Sequence, residues 1–270
     1  PEKKRILVAE DLSTNQQIIV EMIKMLGHEV EIASNGKIAL AKYQSGEYAL
    51  LFMDCQMPIM DGYEATRAIR KFEAERPLEP VPIIALTAGS DKESRDKCDQ
   101  AGMDGFLTKP FSISDIRKIF EIHLQDDFSN TDTFEHIDSR YAQPVESGDA
   151  MEQNFRVLNL AAIENIRDVE RQTGKQLLPS IFEGYISQMD EKLREIERDL
   201  SASDSTSVYR TAHAIKSMSA NIGAAKVRSI SSQIEKKGKE NELGGLAEEI
   251  IILTEAYHEF VEQFDMSLAK

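Results

Sequence analysis

The chain has 270 residues, with 32 basic and 47 acidic side chains and a formal net charge of −15. At about 100–200 residues per domain, this length predicts two domains. The acidic balance argues against nucleic acid or an anionic membrane as the main partner, because phosphate groups select for a surplus of lysine and arginine. No apolar run approaches the roughly 18 residues of a membrane span. The two cysteines favour a reducing, cytoplasmic setting over a disulfide framework.

The first half of the chain alternates strand-like and helix-like segments. Residues 6–10, 29–33, 49–54, 81–87 and 105–108 are short, apolar and mostly β-branched or aromatic. Between them apolar residues recur at helical spacing, as at Ile18, Met22 and Met25. Nearly continuous apolar strands that alternate with helices indicate a parallel sheet covered on both faces. The sequence therefore predicts a five-stranded, doubly wound, flavodoxin-like α/β domain over residues 1–124.

The segment that follows is strongly acidic. Residues 126–152 contain eight acids and one arginine, a net charge of −7, with scattered apolar residues and no periodicity. Such a composition predicts a linker, here residues 125–151, extended by its own charge repulsion.

Residues 152–270 form the second predicted domain. Apolar stripes at helical spacing run through 160–169, 178–200, 208–222, 227–234 and 246–268, separated by short polar or glycine breaks. The pattern predicts an antiparallel four-helix bundle preceded by one short helix.

Carboxylates end two strands of the predicted sheet. Glu10 and Asp11 close the first strand, and Asp54 closes the third. The carboxyl ends of parallel strands meet at one edge, where α/β domains bind their ligands. Three carboxylates in close contact repel one another unless a divalent cation compensates them. Mg²⁺ is the cation whose preference for oxygen ligands fits this set.

Thr87 closes the fourth strand and Lys109 follows the fifth, so both are expected at the same edge. A carboxylate, a metal ion, a hydroxyl and an ammonium group that converge on one point suit phosphoryl transfer to an aspartate. Haloacid-dehalogenase-type phosphatases, another class with an aspartate nucleophile, need a second acid two residues later. This chain has Gln56 at that place.

Residues 4–124 resemble the receiver domain of two-component response regulators. The motifs that carry the resemblance are Glu10-Asp11, the run DCQMPIMDG at 54–62, Thr87-Ala88 and Lys109-Pro110. The resemblance implies that Asp54 accepts the phosphoryl group and that Asp11, Asp54 and the backbone carbonyl of Gln56 coordinate Mg²⁺. Glu10 would act through a metal-bound water.

The same resemblance implies a conformational switch. Thr87 and Phe106 would form the switch pair, the aromatic ring turning inward when Thr87 engages the phosphoryl group. Asp61, by contrast, is expected to shape the loop before the next helix rather than to bind metal.

His213 stands out among the five histidines. It lies opposite the apolar stripe of its helix, so we expect an exposed imidazole, with Lys216 and the small Ser217 beside it. A neutral imidazole is nucleophilic, and Lys216 supplies a cation for a phosphoryl group on the ring. The run HAIKSMSANIGA at 213–224 resembles the core of histidine phosphotransfer domains. Ser217 stands where that family usually has glycine.

A receiver followed by a phosphotransfer bundle is similar to the C-terminal part of hybrid sensor histidine kinases. The resemblance implies that a phosphoryl group passes from a kinase-core histidine to Asp54, then to His213, and then to the aspartate of a downstream response regulator. The sequence contains no G-x-G. An ATP-binding kinase core and a sensor that anchors the native chain to the inner membrane are therefore expected upstream of Pro1, which leaves open whether this chain is itself an enzyme.

Two other classes of function remain. One is a stand-alone receiver–phosphotransfer adaptor that acts mainly as an interaction module. The intact set of Glu10, Asp11, Asp54, Thr87 and Lys109 argues against it, because a module that needs only its surface would tolerate losses there. The other is a transcription factor, which the acidic second half disfavours.

Overall fold

A computed structural model describes residues 2–76, 79–88, 92–126 and 157–268. The chain divides into two compact units, the first built on a parallel sheet and the second on a helical bundle. The predicted linker at 125–151 lies outside the described residues apart from its first two. None of the helices in the described ranges is long and apolar enough to cross a membrane.

The sheet has five parallel strands in the order β2-β1-β3-β4-β5. They are β1 (Arg5–Ala9), β2 (Glu29–Ala33), β3 (Leu50–Asp54), β4 (Ile83–Thr87) and β5 (Gly105–Thr108). The predicted strands are confirmed, with shifts of one or two residues at some ends. Strand β4 begins at Ile83 instead of residue 81, since Pro82 has no N–H to donate to a neighbouring strand.

Helices cover both faces of the sheet, as the buried strands require. They are α1 (Ser13–Met25), α2 (Gly36–Ser45), α3 (Gly62–Ala74), α4 (Lys92–Ala101) and α5 (Ile113–Leu124). Every residue of β3 and β4 is buried. Leu51 of β3 packs in one hydrophobic core with Tyr43 of α2, Ile69 of α3 and Cys98 of α4.

The described part of the chain after residue 157 contains four long helices and a shorter one before them, which confirms the predicted helical bundle. They are α6 (Leu160–Thr173), α7 (Leu178–Ser201), α8 (Ser205–Ile222), α9 (Ala225–Lys239) and α10 (Leu246–Leu268). Aromatic rings join α7 to α10 in its core. The ring centroids of Phe182 and Phe264 lie 4.2 Å apart, and those of Tyr185 and Phe260 lie 5.5 Å apart.

Helices α8 and α9 form a tight antiparallel hairpin. Gly223 caps α8 with a φ of 81°, a left-handed conformation that favours glycine. The two helices lie unusually close further along, because a Cβ atom added at Gly238 would be 2.9 Å from the backbone nitrogen of Tyr209. Residues equally distant from the turn therefore face each other across this hairpin.

Candidate functional sites

The acidic residues meet at the carboxyl edge of the sheet, as predicted. Glu10 directly follows β1, and Asp54 ends the adjacent strand β3. Glu10, Asp11 and Asp54 each offer a carboxylate oxygen, and these oxygens lie within 4.8 Å of one another. Strand order alone places them together, because β1 and β3 are neighbours in the sheet.

Lys109 is buried at the centre of this site, with 1% of its side chain exposed. Its Nζ donates hydrogen bonds of 2.6 Å to Glu10 Oε2 and to Asp54 Oδ2. Its backbone N–H donates to the carbonyl of Thr87 at 2.7 Å, which fixes the start of the loop after β5. Burial opposes the charge on Lys109, but the attraction of Asp54 and Glu10 outweighs burial and raises the pKa of Lys109 above its usual range.

The site carries more negative charge than Lys109 compensates. The pKa of Glu10 is raised to about 8, chiefly by burial and also by the charges of Asp54 and Asp11, although Lys109 lowers it. A divalent cation near these oxygens would relieve this repulsion. Clustered carboxylate oxygens are the donors that Mg²⁺ takes, so the residues fit that ion.

The loop after β3 is held close to Asp54. The backbone N–H of Gln56 donates to Asp54 Oδ1 at 3.1 Å. A Cβ atom at Gly62 would be 2.1 Å from the carbonyl oxygen of Asp54, so this position requires glycine. Asp61 is the N-cap of α3 and accepts from the backbone N–H of Glu64 at 2.7 Å. The interpretation of Asp61 as a residue that shapes the loop is therefore confirmed.

The predicted switch residues lie on neighbouring strands. Thr87 is the last residue of β4 and is buried, whereas Phe106 on β5 is 37% exposed. The guanidinium carbon of Arg95, on α4, lies 4.8 Å from the centroid of the Phe106 ring, within the range of a cation–π contact. The ring is thus held partly outward by a residue that the sequence analysis did not identify. The switching itself stays a prediction.

His213 is less open than the sequence predicted. Only 12% of its side chain is exposed, and its Nδ1 lies 2.6 Å from Oε1 of Glu235. Lys216 donates to the other oxygen of the same carboxylate. The expectation of an exposed imidazole is wrong because Glu235 reaches over from α9 and covers one side of the ring.

Ser217 is also placed differently from the expectation. It is 2% exposed, so it does not lie open on the outward face beside His213. The reason is the position of α8 within the bundle. All six residues from Ser217 to Ile222 are buried, so the last third of α8 has no face that is open to solvent.

Glu235 determines the chemical form of the histidine. Burial disfavours its charge, but the hydrogen bonds and charges of His213 and Lys216 outweigh burial and hold the pKa of Glu235 below its ordinary value. A carboxylate accepts hydrogen bonds only, so a neutral His213 carries its proton on Nδ1. The lone pair of the ring then lies on Nε2, which is the nitrogen available as a nucleophile.

The sequence analysis missed Glu235, although a signal for it exists. His213 lies ten residues before Gly223, and Glu235 lies twelve residues after it. In a tight antiparallel hairpin, residues at nearly equal distances from the turn face each other. An acidic partner for His213 could therefore have been predicted near residue 235, at the matching distance on the other side of the turn.

Comparison with known families agrees with the two units. Residues 6–121 match the response regulator receiver domain, and residues 180–264 match the Hpt domain. The chain is therefore a protein of the two-component phosphorelay class. In particular, it joins a receiver domain to a histidine phosphotransfer domain.

Among curated proteins, the chain is similar to hybrid and other histidine kinases. It is 41% identical over 121 residues to hybrid signal transduction histidine kinase B of Dictyostelium discoideum, which covers 42% of this chain and 6% of that protein. It is 34% identical over 145 residues to histidine kinase 5 of Arabidopsis thaliana, which covers 45% of this chain and 16% of that protein. The chain thus matches only a small part of the length of either relative.

Among solved structures, it is similar to the receiver domain of a Pseudomonas aeruginosa sensor histidine kinase that holds magnesium in its active-site cleft. The identity is 38%, the match covers 46% of this chain and 99% of that one, and the TM-score is 0.42. A second similar structure is a complex of a Saccharomyces cerevisiae histidine phosphotransfer protein with the receiver domain of its downstream regulator. There the identity is 31%, the coverage is 46% of this chain and 90% of that one, and the TM-score is 0.43.

Proposed function

We propose that this chain carries a phosphoryl group through two of its residues. Asp54 accepts the group from a kinase histidine, and His213 passes it on to the aspartate of a downstream response regulator. The observation that carries the proposal is the convergence of Glu10, Asp54 and Lys109, with both hydrogen bonds from Lys109 at 2.6 Å.

In the first step an oxygen of Asp54 attacks phosphorus, and the bond between phosphorus and the kinase histidine breaks. Lys109 neutralises negative charge on the transferring group, and the hydroxyl of Thr87 donates a hydrogen bond to one of its oxygens. Mg²⁺ would be held by Asp11, Asp54 and the carbonyl of Gln56, with Glu10 acting through water, and it would supply further positive charge for the phosphoryl oxygens.

In the second step Nε2 of His213 attacks phosphorus, and the bond from phosphorus to Asp54 breaks. Glu235 holds the proton on Nδ1 and balances the positive charge that the ring gains when Nε2 is phosphorylated. Lys216 lies one turn from His213 on α8 and can turn from Glu235 to the phosphoryl oxygens.

Phosphate uptake from acetyl phosphate tests the first step. With Mg²⁺ present, the intact chain should gain an acyl phosphate that is stable in acid and labile in base, and chelation of the metal should prevent the gain. Asp54→Asn should abolish this label. The matched control is Asp96→Asn, an exposed acid on α4, which should label normally. Labelling of Asp54→Asn at the wild-type rate would refute the assignment of Asp54 as the phosphoryl acceptor.

The partners follow from the same proposal. An upstream histidine kinase core, expected in the same native chain, donates to Asp54, and a downstream receiver accepts from His213. The low cysteine content, two in 270 residues, favours a cytoplasmic setting for this part of the native protein. The alternative is an adaptor that acts by binding alone. An adaptor would keep its signalling output in the Asp54→Asn variant, whereas a relay would lose it.

A further inference from the structure

The two cysteines of the chain lie side by side in the receiver domain. Cys55 directly follows Asp54, and Cys98 lies on α4, 43 residues away in sequence. Their sulfur atoms are 3.9 Å apart. Both side chains are buried in the core between the sheet and helices α2 to α4. Both cysteines of the chain therefore contact each other, next to the proposed phosphoryl acceptor.

Tyr63 lies beside this pair of cysteines. It lies at the start of α3, is half-buried, and hydrogen-bonds to both sulfur atoms. A hydrogen bond from Cys55 holds the pKa of the Cys98 thiol below its ordinary value, although burial opposes this effect. Cys98 is thus suited to react first, since the thiolate is the nucleophile.

We propose that Cys55 and Cys98 form a reversible redox pair that a hydroperoxide converts to a disulfide. The Cys98 thiolate attacks one oxygen of hydrogen peroxide, the O–O bond breaks, and a sulfenic acid forms. The departing hydroxide takes up the proton that the Cys98 thiol had released and leaves as water. The Cys55 sulfur then attacks the sulfenic sulfur, an S–S bond forms, and a second water leaves with the remaining protons. In total, two thiols and one peroxide give one disulfide and two waters.

Disulfide formation must draw the two sulfurs together by about 1.9 Å, because an S–S bond is about 2.05 Å long. The backbone of Cys55 is held on both sides. Its N–H donates to the carbonyl of Leu86 at 3.2 Å, and its carbonyl accepts from the N–H of Gly62 at 3.1 Å. Part of the movement must therefore occur in α4, which bears Cys98. Cys98 lies one turn from Arg95, the residue that contacts Phe106.

The disulfide would tie the end of β3, which bears Asp54, to α4. The part of the movement that α4 does not take up displaces Cys55 and its chain neighbours Asp54 and Gln56. The N–H of Gln56 contacts the Asp54 carboxylate. A misplacement of about 1 Å at a reacting group can cost about 100-fold in rate. Because only part of the movement reaches Asp54, we expect oxidation to slow phosphate uptake by Asp54 by about tenfold. The expected slowing of phosphate uptake, the second consequence of the proposal, rests on the proposed function, whereas disulfide formation does not.

The test uses the intact, fully reduced chain titrated with hydrogen peroxide. The expected product has lost two hydrogen atoms by intact mass and yields a linked Cys55–Cys98 peptide that disappears on reduction with dithiothreitol. Cys98→Ser and Cys55→Ser should yield no intrachain link and should retain the fold. Thiols that stay open to alkylation in the denatured chain after peroxide treatment, or that convert to sulfinic acid without a linked peptide, would overturn the redox pair.

Phosphate uptake by the reduced, oxidised and re-reduced chains tests the second consequence. The effect on Asp54 is supported if uptake is slow only in the oxidised wild type and if uptake by the Cys98→Ser chain does not change with peroxide. Equal uptake by the oxidised and reduced chains overturns the effect on Asp54. A reduced chain that takes up no phosphate counts against the proposed function instead, while the linked peptide still decides whether the redox pair exists.

Discussion

Replacement of Glu235 by alanine removes the carboxylate that His213 and Lys216 share. The variant leaves the Nδ1–H group of the histidine and the ammonium group of the lysine without this acceptor, in a place where each side chain is 12% exposed. Glu235→Gln is the informative comparison. Its amide oxygen can still accept a hydrogen bond from Nδ1–H, so it keeps the ring in the same tautomer while the negative charge is lost.

Two magnitudes follow from this geometry. A largely buried polar group that loses its partner costs about 1–3 kcal/mol, so the bundle of Glu235→Ala should be less stable by that amount. Loss of a group that fixes the tautomer and orientation of a reacting histidine typically costs about 10–100-fold in activity. We therefore expect phosphoryl transfer to His213 to slow by this factor in Glu235→Ala, and by less in Glu235→Gln.

The assay follows the time course of acid-labile, base-stable phosphate on His213 after the chain is charged at Asp54, and urea unfolding gives the stability. Glu240→Ala, which removes an exposed acid at the end of α9, is the matched control and should change neither quantity. Glu235→Ala with the wild-type transfer rate would refute the role of Glu235. Equal losses in the alanine and glutamine variants would show that charge, and not the tautomer, is what Glu235 supplies.

Three further changes have defined outcomes. Gly238→Ala places a methyl group 2.9 Å from the backbone nitrogen of Tyr209. Its crowding should exceed the helix-propensity gain of about 1 kcal/mol and lower the urea-unfolding stability; an unchanged stability would contradict the close helix contact. Burial lowers the pKa of His28, so the unfolded chain binds more protons and stability should fall as the pH drops through about 6.5. An NMR titration midpoint at or above that value would contradict this. A flexible linker of the predicted length is expected to span about 30 Å on average, so we predict first-order transfer within one chain. Equally fast transfer in a mixture of Asp54→Asn and His213→Gln chains would contradict this prediction.

The receiver fold was predictable because its signals are local. Strands β3 and β4 are buried along their whole length and are short apolar runs in the sequence. The order of elements then fixes which strand ends meet. The acidic site follows from that order alone, since Glu10 and Asp54 end adjacent parallel strands.

The details of the phosphotransfer site were less predictable because they depend on packing between helices. A helical stripe shows which face is apolar, but it does not show how many neighbours a helix has. For that reason Ser217 was expected on an open face although it is buried. The contact between His213 and Glu235 joins residues 22 positions apart, so it depends on the hairpin geometry. Arg95 was missed for the same reason, since its contact with Phe106 joins a helix to a strand.

The central claim is that phosphate reaches His213 by way of Asp54. The most direct measurement charges the wild-type, Asp54→Asn and His213→Gln chains with acetyl phosphate and Mg²⁺ and maps the phosphorylated residues at intervals. The account predicts label on Asp54 first and on His213 later in the wild type, label on Asp54 alone in His213→Gln, and label on neither residue in Asp54→Asn. Phosphate on His213 of the Asp54→Asn chain at the wild-type rate would contradict the relay.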